Sequence, residues 1–388
     1  MPAFKHSHLV PWILSLGMFV IGTTSLSILG VGPAMTRDLA VSPGAAGWLV
    51  TAFAATFAVV APIAQFALGK RYSPRSLIIV GTVILTAALT WAALAAGFSS
   101  LLFSRIAAAL GSSLIAPTSA AVAVAMTPVG RRGAVLAIVF TGFTLSTVAG
   151  VPIMTWLTLM LDWRGAMAAI AVAALLLLLL VLAVLPNETI AVGDGGQDET
   201  PSVGLWKPTM VLLATLGMLA AQFTIYSLMG ELLGQEFSVS DAGLPAAILL
   251  FGIFGVAGNA AAGFLTDRVG SDVLVWVSIT GLAALLLLMN ADLGPVYGTL
   301  VLAGCAFAGT LFTTPQQSRL VEIVHQDRHA LILAVNSSAS YLGIAFGSGL
   351  ASLLAMNTGL SVLPVAALIV LSLVGAINLL VQFRSQSR

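Results

Sequence analysis

The stretch AMAAIAVAALLLLLLVLAVL, Ala166 to Leu185, contains no polar side chain. Twenty residues of α-helix rise about 30 Å, the thickness of a bilayer's hydrocarbon core. In lipid every backbone N–H and C=O must be paired within the segment, so the run is read as a membrane-spanning helix. Working outward from it, comparable runs cover 9–31, 45–68, 76–97, 100–126, 133–158, 165–185, 208–232, 242–265, 272–290, 294–318, 330–355 and 361–383. The charged residues fall almost entirely in the gaps between them. The pattern predicts an all-α membrane protein with twelve transmembrane helices.

Composition excludes the main alternatives. Charged residues make up 7% of the 388, against about a quarter in a soluble domain. Hydrophobic residues reach 59% and the mean hydropathy is +1.08, so no soluble core of this size competes. A net charge of +1, with no basic run interleaved with aromatics, argues against a nucleic-acid partner. The single cysteine, Cys305, excludes an internal disulfide and reads as a small packing residue. His6, His8, His325 and His329 make no ligand constellation with cysteine or acid, so no metal site is expected. No phosphate-binding glycine loop occurs, and neither ATP nor any other cofactor is expected. The run from Leu9 is too long for a signal-peptide core and no small-residue cleavage site follows it. It should remain as the first membrane helix.

Twelve crossings put both termini on one side, and basic residues indicate which. Lys5, Lys70, Arg71, Arg75, Arg131, Arg132, Lys207, Arg268, Arg319, Arg328, Arg384 and Arg388 share the side of the termini. Arg37 and Arg164 lie opposite, and Arg105 falls just inside the fourth run. The termini are therefore expected in the cytoplasm. The polar interval around Gly193-Asp194-Gly195-Gly196-Gln197-Asp198-Glu199 reads as a flexible linker. It divides the chain into a six-helix bundle over 1–185, a linker over 186–207 and a second six-helix bundle over 208–388. A shift of 197 residues places Leu68-Gly69-Lys70-Arg71 on Leu265-Thr266-Asp267-Arg268, Arg131-Arg132 on Arg328-His329, and Gly150 on Gly347. Two pseudo-symmetric parallel repeats are expected to produce such an echo.

Polar residues inside runs are costly in lipid and turn toward the bundle interior or water. Ser25 after Thr23-Thr24, Gln222, Tyr226, Asn259, Gln316, Asn336 and Tyr341 are the candidate substrate-facing residues. The alternative is that such groups are hydrogen-bond glue between helices. Most acids fall in loops or at helix ends, and only Glu231, near the end of the seventh run, could face an interior cavity. Desolvation favours its protonated form, and proximity of Arg105 would favour the charged one. A fully hydrated place in the outer loop is the competing reading for Glu231.

The segment Gly263-Phe264-Leu265-Thr266-Asp267-Arg268-Val269-Gly270 resembles the signature loop of the major facilitator superfamily. The equivalent first-half loop, Phe66 to Arg75, departs from it: Phe66, Lys70 and Ser73 stand where the family has glycine, acid and glycine. Gly142, followed by Gly150-Val151-Pro152, resembles the antiporter signature of the drug:proton antiporter branch, with Trp156 where a small residue is common. Phe103-Ser104-Arg105 is similar to the fourth-helix motif in which an arginine enters the membrane. Gly22-Thr23-Thr24-Ser25 with Gly30-Val31-Gly32-Pro33 resembles the first helix of bacterial drug, sugar and nucleoside efflux members. Those relatives often carry an acid where this chain has Ser25.

The resemblance implies a secondary transporter of a bacterial inner membrane that exports a small organic compound by alternating access. Its partners would be the substrate, protons and the lipid bilayer, and it would work as a monomer. A drug-like or hydrophobic substrate is favoured over a sugar or nucleoside, and a non-transporting receptor is the other alternative. A membrane enzyme would need paired acids or a nucleophile–base set within the helices, and neither is present. Glu231 and Arg105 are the expected proton-coupling pair. Arg71, Arg131, Arg132, Gly150, Pro152, Asp267 and Arg268 are the expected gating residues. Asp267 is expected to cap the fifth helix near Arg131 and Arg132. Lys70, Arg71 and Arg75 are expected to pair with Glu322 or Asp327.

Overall fold

The computed structural model describes residues 9–68, 71–127, 132–185, 206–324 and 329–386. Among these residues there are helices and turns but no strands. The helices are α1 (Val10–Leu26), α2 (Ile28–Asp38), α3 (Ala45–Leu68), α4 (Pro74–Ala93), α5 (Phe98–Ala125), α6 (Arg132–Leu145) and α7 (Val151–Val184). They continue with α8 (Trp206–Tyr226), α9 (Met229–Gln235), α10 (Leu244–Val269), α11 (Ser271–Leu288) and α12 (Gly294–Leu311). The last three are α13 (Thr313–Ile323), α14 (His329–Asn357) and α15 (Leu363–Gln386).

Twelve crossings account for these elements. The pair α1 and α2 forms one crossing bent by 42°. The continuous stretch Ile138–Val184 holds 47 residues, more than twice what a bilayer needs. It is two crossings, because Asp162 (φ 70°, ψ 175°) breaks the helix and its Oδ1 accepts from the Gly165 N–H at 2.8 Å. Nine further spans among the described residues complete the twelve.

The helices pack into two compact units, residues 1–27 with 59–194 and residues 28–58 with 195–388. One boundary, at 194/195, falls within the expected linker 186–207, of which 186–205 lie outside the described residues. The other boundaries, at 27/28 and 58/59, place α2 and the first half of α3 with the C-terminal helices. In the first unit α4 packs on α5 and α7, and α1 on α6. In the second, α8 packs on α14 and α15, and α12 on α10 and α11.

The repeat survives as packing. A Cβ at Gly81 would lie 2.8 Å from the Gly111 carbonyl, and the Ser278 hydroxyl donates to the Ala308 carbonyl at 2.6 Å. Gly150 lies against the Thr23 side chain, and Gly347 against the Ala220 carbonyl. In both cases the two contacts are related by the same shift of 197 positions. Small residues at these points let helix backbones approach within van der Waals contact, where lipid offers no hydrophobic drive to associate. Just before Pro152 the chain makes a π turn, Ser146–Gly150. The Val151 N–H reaches back to the Ser146 carbonyl, which absorbs the ladder defect that proline imposes.

Candidate functional site

Two crossings are interrupted near corresponding points of the repeats. The first breaks at Ser27, between α1 and α2, where the serine hydroxyl donates to the Thr24 carbonyl at 3.0 Å. The second breaks after α8, at Ser227 and Leu228, and Leu228 leaves helical geometry at φ −118°, ψ 27°. Interrupted helices in matching places of two repeats are the usual pointer to a transporter's binding site.

Beyond these breaks α2 and α9 cross within the second unit. A Cβ on Gly230 would lie 2.8 Å from both the Leu29 carbonyl and the Pro33 ring. Pro33 has no N–H to give that carbonyl, so the helix is already open at this point. Pro33 and Gly230 are themselves 197 positions apart, and thus equivalent in the two repeats. The crossing therefore joins segments that are equivalent under the repeat.

Glu231 is held in this crossing. It is 1% exposed, and its Oε1 would be 2.6 Å from a Cβ on Gly32. Neither carboxylate oxygen has a hydrogen-bond partner among the described residues beyond the glutamate's own backbone amide. The fully hydrated alternative is therefore not the geometry found. A cavity of about 350 Å³ lies beside the crossing, with Pro33, Arg37, Glu231, Val239, Asp241 and Leu244 among its lining residues, while the carboxylate oxygens themselves are buried. Arg37 is committed elsewhere: it donates to Asp241 Oδ2 at 2.9 Å and to the Pro33 carbonyl at 3.1 Å. In the same unit Thr51 and Ser348 share a hydroxyl contact at 2.8 Å, and the Tyr341 ring packs 4.2 Å from that of Phe57.

The other residues singled out by sequence are distributed as follows. Arg105 is buried in the first unit, donating to the carbonyls of Thr24 (2.6 Å) and Ser25 (3.1 Å), directly before the first helix break. Gln222 donates to the Gly309 carbonyl at 3.3 Å, Tyr226 to that of Cys305 at 2.7 Å, and Gln316 to that of Val211 at 2.8 Å. These three join helices of the second unit. Asn336 is buried with its Oδ1 unpaired among the described residues, and Asn259 is exposed.

Of the gating residues, Gly150 closes the π turn against Thr23 and Pro152 is buried in α7. Arg268 stacks 3.9 Å over the Phe264 ring, and Arg71 is exposed. Arg131 and the side chains of Asp267 and Arg132 lie outside the described residues, and with them the expected cap. Lys70 and Asp327 also lie outside, while Arg75 donates to the Leu182 carbonyl at 3.0 Å.

Sequence reasoning missed one buried charge. Arg319, only 7% exposed at its side chain, pairs with Asp272 at 3.0 Å. It also donates to Gln316 Oε1 at 3.2 Å and Asn378 Oδ1 at 2.7 Å. The available signal was Gln316, three residues earlier and so on the same helix face.

Two parallel repeats of membrane helices, interrupted in matching places around a buried carboxylate, define a membrane transporter. The sequence profile of the Major Facilitator Superfamily matches residues 14–227 and 211–387, and the chain belongs to that family. It is 28% identical over 371 residues to the inner membrane transport protein YdhP of Escherichia coli K12, covering 93% of this chain and 92% of that protein. It is 30% identical over 267 residues to a chloramphenicol resistance protein of Streptomyces lividans, covering 68% of each. Among solved structures, a bacterial homologue of the lysosomal transporter Spinster, inward-facing and occupied, superposes with a TM-score of 0.73. At 15% identity over 98% of both chains, that likeness concerns the fold.

Proposed function

We propose that this chain is a proton-coupled exporter of a small, drug-like or hydrophobic organic compound, working by alternating access as a monomer in a bacterial inner membrane. Both termini face the cytoplasm in this reading, which the distribution of lysine and arginine supports. The observation that carries the reading is Glu231: a carboxylate buried in the α2–α9 crossing, without a partner beyond its own amide among the described residues. Burying an uncompensated charge is costly, so closure over Glu231 calls for a proton, and separation of α2 from α9 lets water take it back. Substrate leaves as the proton enters, which is antiport.

Arg105 serves the same cycle from the other side of the first helix break. By holding the carbonyls of Thr24 and Ser25 it fixes the end of α1 from which α2 departs. The first-helix resemblance implies an acid at position 25; this chain has Ser25 there, and in this reading Glu231 takes over the proton. The relationship to a chloramphenicol resistance protein supports efflux and a compact, weakly polar substrate. Gln222, Tyr226, Gln316, Asn336 and Tyr341 form the polar part of the path, with Ser25 and Asn259. Gly150 and Pro152 bend the helix that moves, and Arg71, Arg131, Arg132, Asp267 and Arg268 gate the cytoplasmic side.

The test is flux in sealed proteoliposomes with an imposed pH gradient, using chloramphenicol as first substrate. Wild type should concentrate it against its gradient. Glu231→Gln should lose that ability while retaining exchange at equal pH. Accumulation by Glu231→Gln at the wild-type rate would overturn proton coupling through this residue.

A further inference from the structure

We propose that the face of α14 around Tyr341 and Ser337 is a docking platform for an uncharged aromatic ring bearing a hydrogen-bonding substituent, with Phe57 as a positioning residue behind Tyr341. This deepens the exporter reading by naming the substrate's chemistry, and rests on that reading for its place in transport.

One stripe of α14 changes character along its length. Toward its C-terminal end α3 covers it: a Cβ on Gly47 would lie 3.0 Å from the Ser348 carbonyl, and the hydroxyls of Thr51 and Ser348 meet at 2.8 Å. Two turns nearer the start of α14, the Tyr341 ring lies 4.2 Å from that of Phe57 and is only partly buried. One turn further, Ser337 is exposed. Spacings of four and seven keep Ser337, Tyr341 and Ser348 on one face of the helix. That face is not the lipid face. The exposed apolar residues Leu342, Phe346 and Leu353 mark the latter. Phe346 stands nine positions after Ser337, and at about 100° per residue that is the opposite side of the helix. Ser337 nonetheless lies inside the span Ile332–Asn357. A polar side chain exposed within a span, and turned from lipid, borders a space open to water or ligand.

The chemistry on offer there is aromatic and neutral. The Tyr341 hydroxyl has no hydrogen-bond partner among the described residues, and it is not among their polar atoms sealed from solvent. Gln222, Tyr226 and Gln316 differ, since each donates to a carbonyl of a neighbouring helix. Packing on Phe57 uses the tyrosine's ring and leaves its hydroxyl for a ligand. Phe57 is itself buried and stacks on the buried Phe53 at 6.3 Å, so the tyrosine ring has a fixed backing. Ser337 donates to the Leu333 carbonyl and keeps its lone pairs for a ligand's donor. No charged residue occurs in α3 or in the span 332–357. A charged ligand would lose water here without gaining a counter-charge, whereas a neutral ring gains a stacking surface and one hydrogen bond.

The experiment is equilibrium binding to the purified full-length protein in detergent, followed by thermal-shift titration. The probes are 4-nitrobenzyl alcohol, its saturated counterpart cyclohexylmethanol, and the anion 4-nitrobenzoate. The nitro alcohol should bind, and the saturated alcohol should bind about two- to ten-fold more weakly, the effect of losing one aromatic contact. The anion should also bind more weakly. Tyr341→Phe keeps the ring and the fold; it should weaken the nitro alcohol about two- to ten-fold and leave the saturated alcohol unchanged. Phe57→Leu should narrow the preference for the aromatic probe. General damage to the protein would lower both affinities together, so the ratio of the two alcohols isolates the platform. Equal affinity for the two alcohols in wild type, tighter binding of the anion, or a ratio indifferent to both substitutions overturns the proposal. Binding at equilibrium needs no gradient, so these outcomes are independent of the liposome assay. Failure here with gradient-driven flux intact removes the platform alone, and the reverse removes the exporter reading alone.

Discussion

Gly32→Ala tests the α2–α9 crossing most directly. The new Cβ would stand 2.6 Å from Glu231 Oε1 and 3.3 Å from its Cδ, where 3.4 Å begins ordinary contact. The α9 backbone has little room to carry the carboxylate aside, since even a Cβ on the adjoining Gly230 would lie 2.8 Å from the Leu29 carbonyl and from Pro33. The helices must therefore part by several tenths of an ångström, and overpacking of this kind costs about 1–3 kcal/mol. If the crossing forms in one state of the transport cycle, that cost falls on one state and shifts the equilibrium roughly 5- to 150-fold. Alanine also stiffens a helix, by about 0.5–1 kcal/mol relative to glycine. Gly234→Ala supplies the correction. It is in α9, a turn away, with open space where its Cβ would go. The assay is cross-linking of a cysteine pair at Thr36 and Gln235, in a background where Cys305 is replaced by alanine. Gly32→Ala should cut cross-linking several-fold while Gly234→Ala leaves it unchanged. Equal yields in both variants would show that α2 and α9 do not close on each other through Gly32.

Three further outcomes follow from other contacts. Arg319→Met leaves the acceptors of Gln316 and Asn378 unpaired in the interior of the second unit, and should cost about 2–3 kcal/mol, read as a lowered Tm. Asp272→Asn should cost less, because that carboxylate is 62% exposed and water replaces its partner. Tyr226→Phe removes only the hydrogen bond to the Cys305 carbonyl; about 1 kcal/mol of stability should go with unchanged substrate affinity if the tyrosine is structural, whereas a loss of affinity assigns it to the substrate.

The number and order of the crossings were legible because lipid allows so few ways to satisfy a backbone. Runs such as Ala166–Leu185 could be nothing but helices, and Asp162 and Gly165 ended one where the sequence placed the turn. The shift of 197 was legible too, and the matched contacts at Gly150 and Gly347 show why it persisted. Gly347 is fixed by the backbone of its partner helix at Ala220, and Gly150 by the Thr23 side chain, so in both repeats the crossing leaves no room for a Cβ. Arg319 was not legible. Its partners Asn378 and Asp272 come from α15 and α11, far away in sequence, and no local period distinguishes a basic residue at a helix end from one folded inward. The roles of Gln222 and Gln316 were open for the same reason: an amide facing a path and an amide facing a neighbour's carbonyl have the same spacing.

Glu231 falls between these cases. Its place near the end of a run was visible, and so was the absence of another acid within reach of an interior cavity. What the sequence lacked was the consequence of its own symmetry. Pro33 and Gly230 are equivalent under the shift of 197, and the fold brings these two equivalent segments against each other. A residue beside such a contact is buried when the two segments meet and is released when they part, whatever the rest of each segment does. Position 231 is that residue, and position 32 faces it with no side chain. In the proposed cycle a carboxylate there would respond to the separation of α2 from α9. In that cycle an equally buried acid that no such crossing covers, such as one on the inner face of α11 or α15, would keep its surroundings and carry no proton.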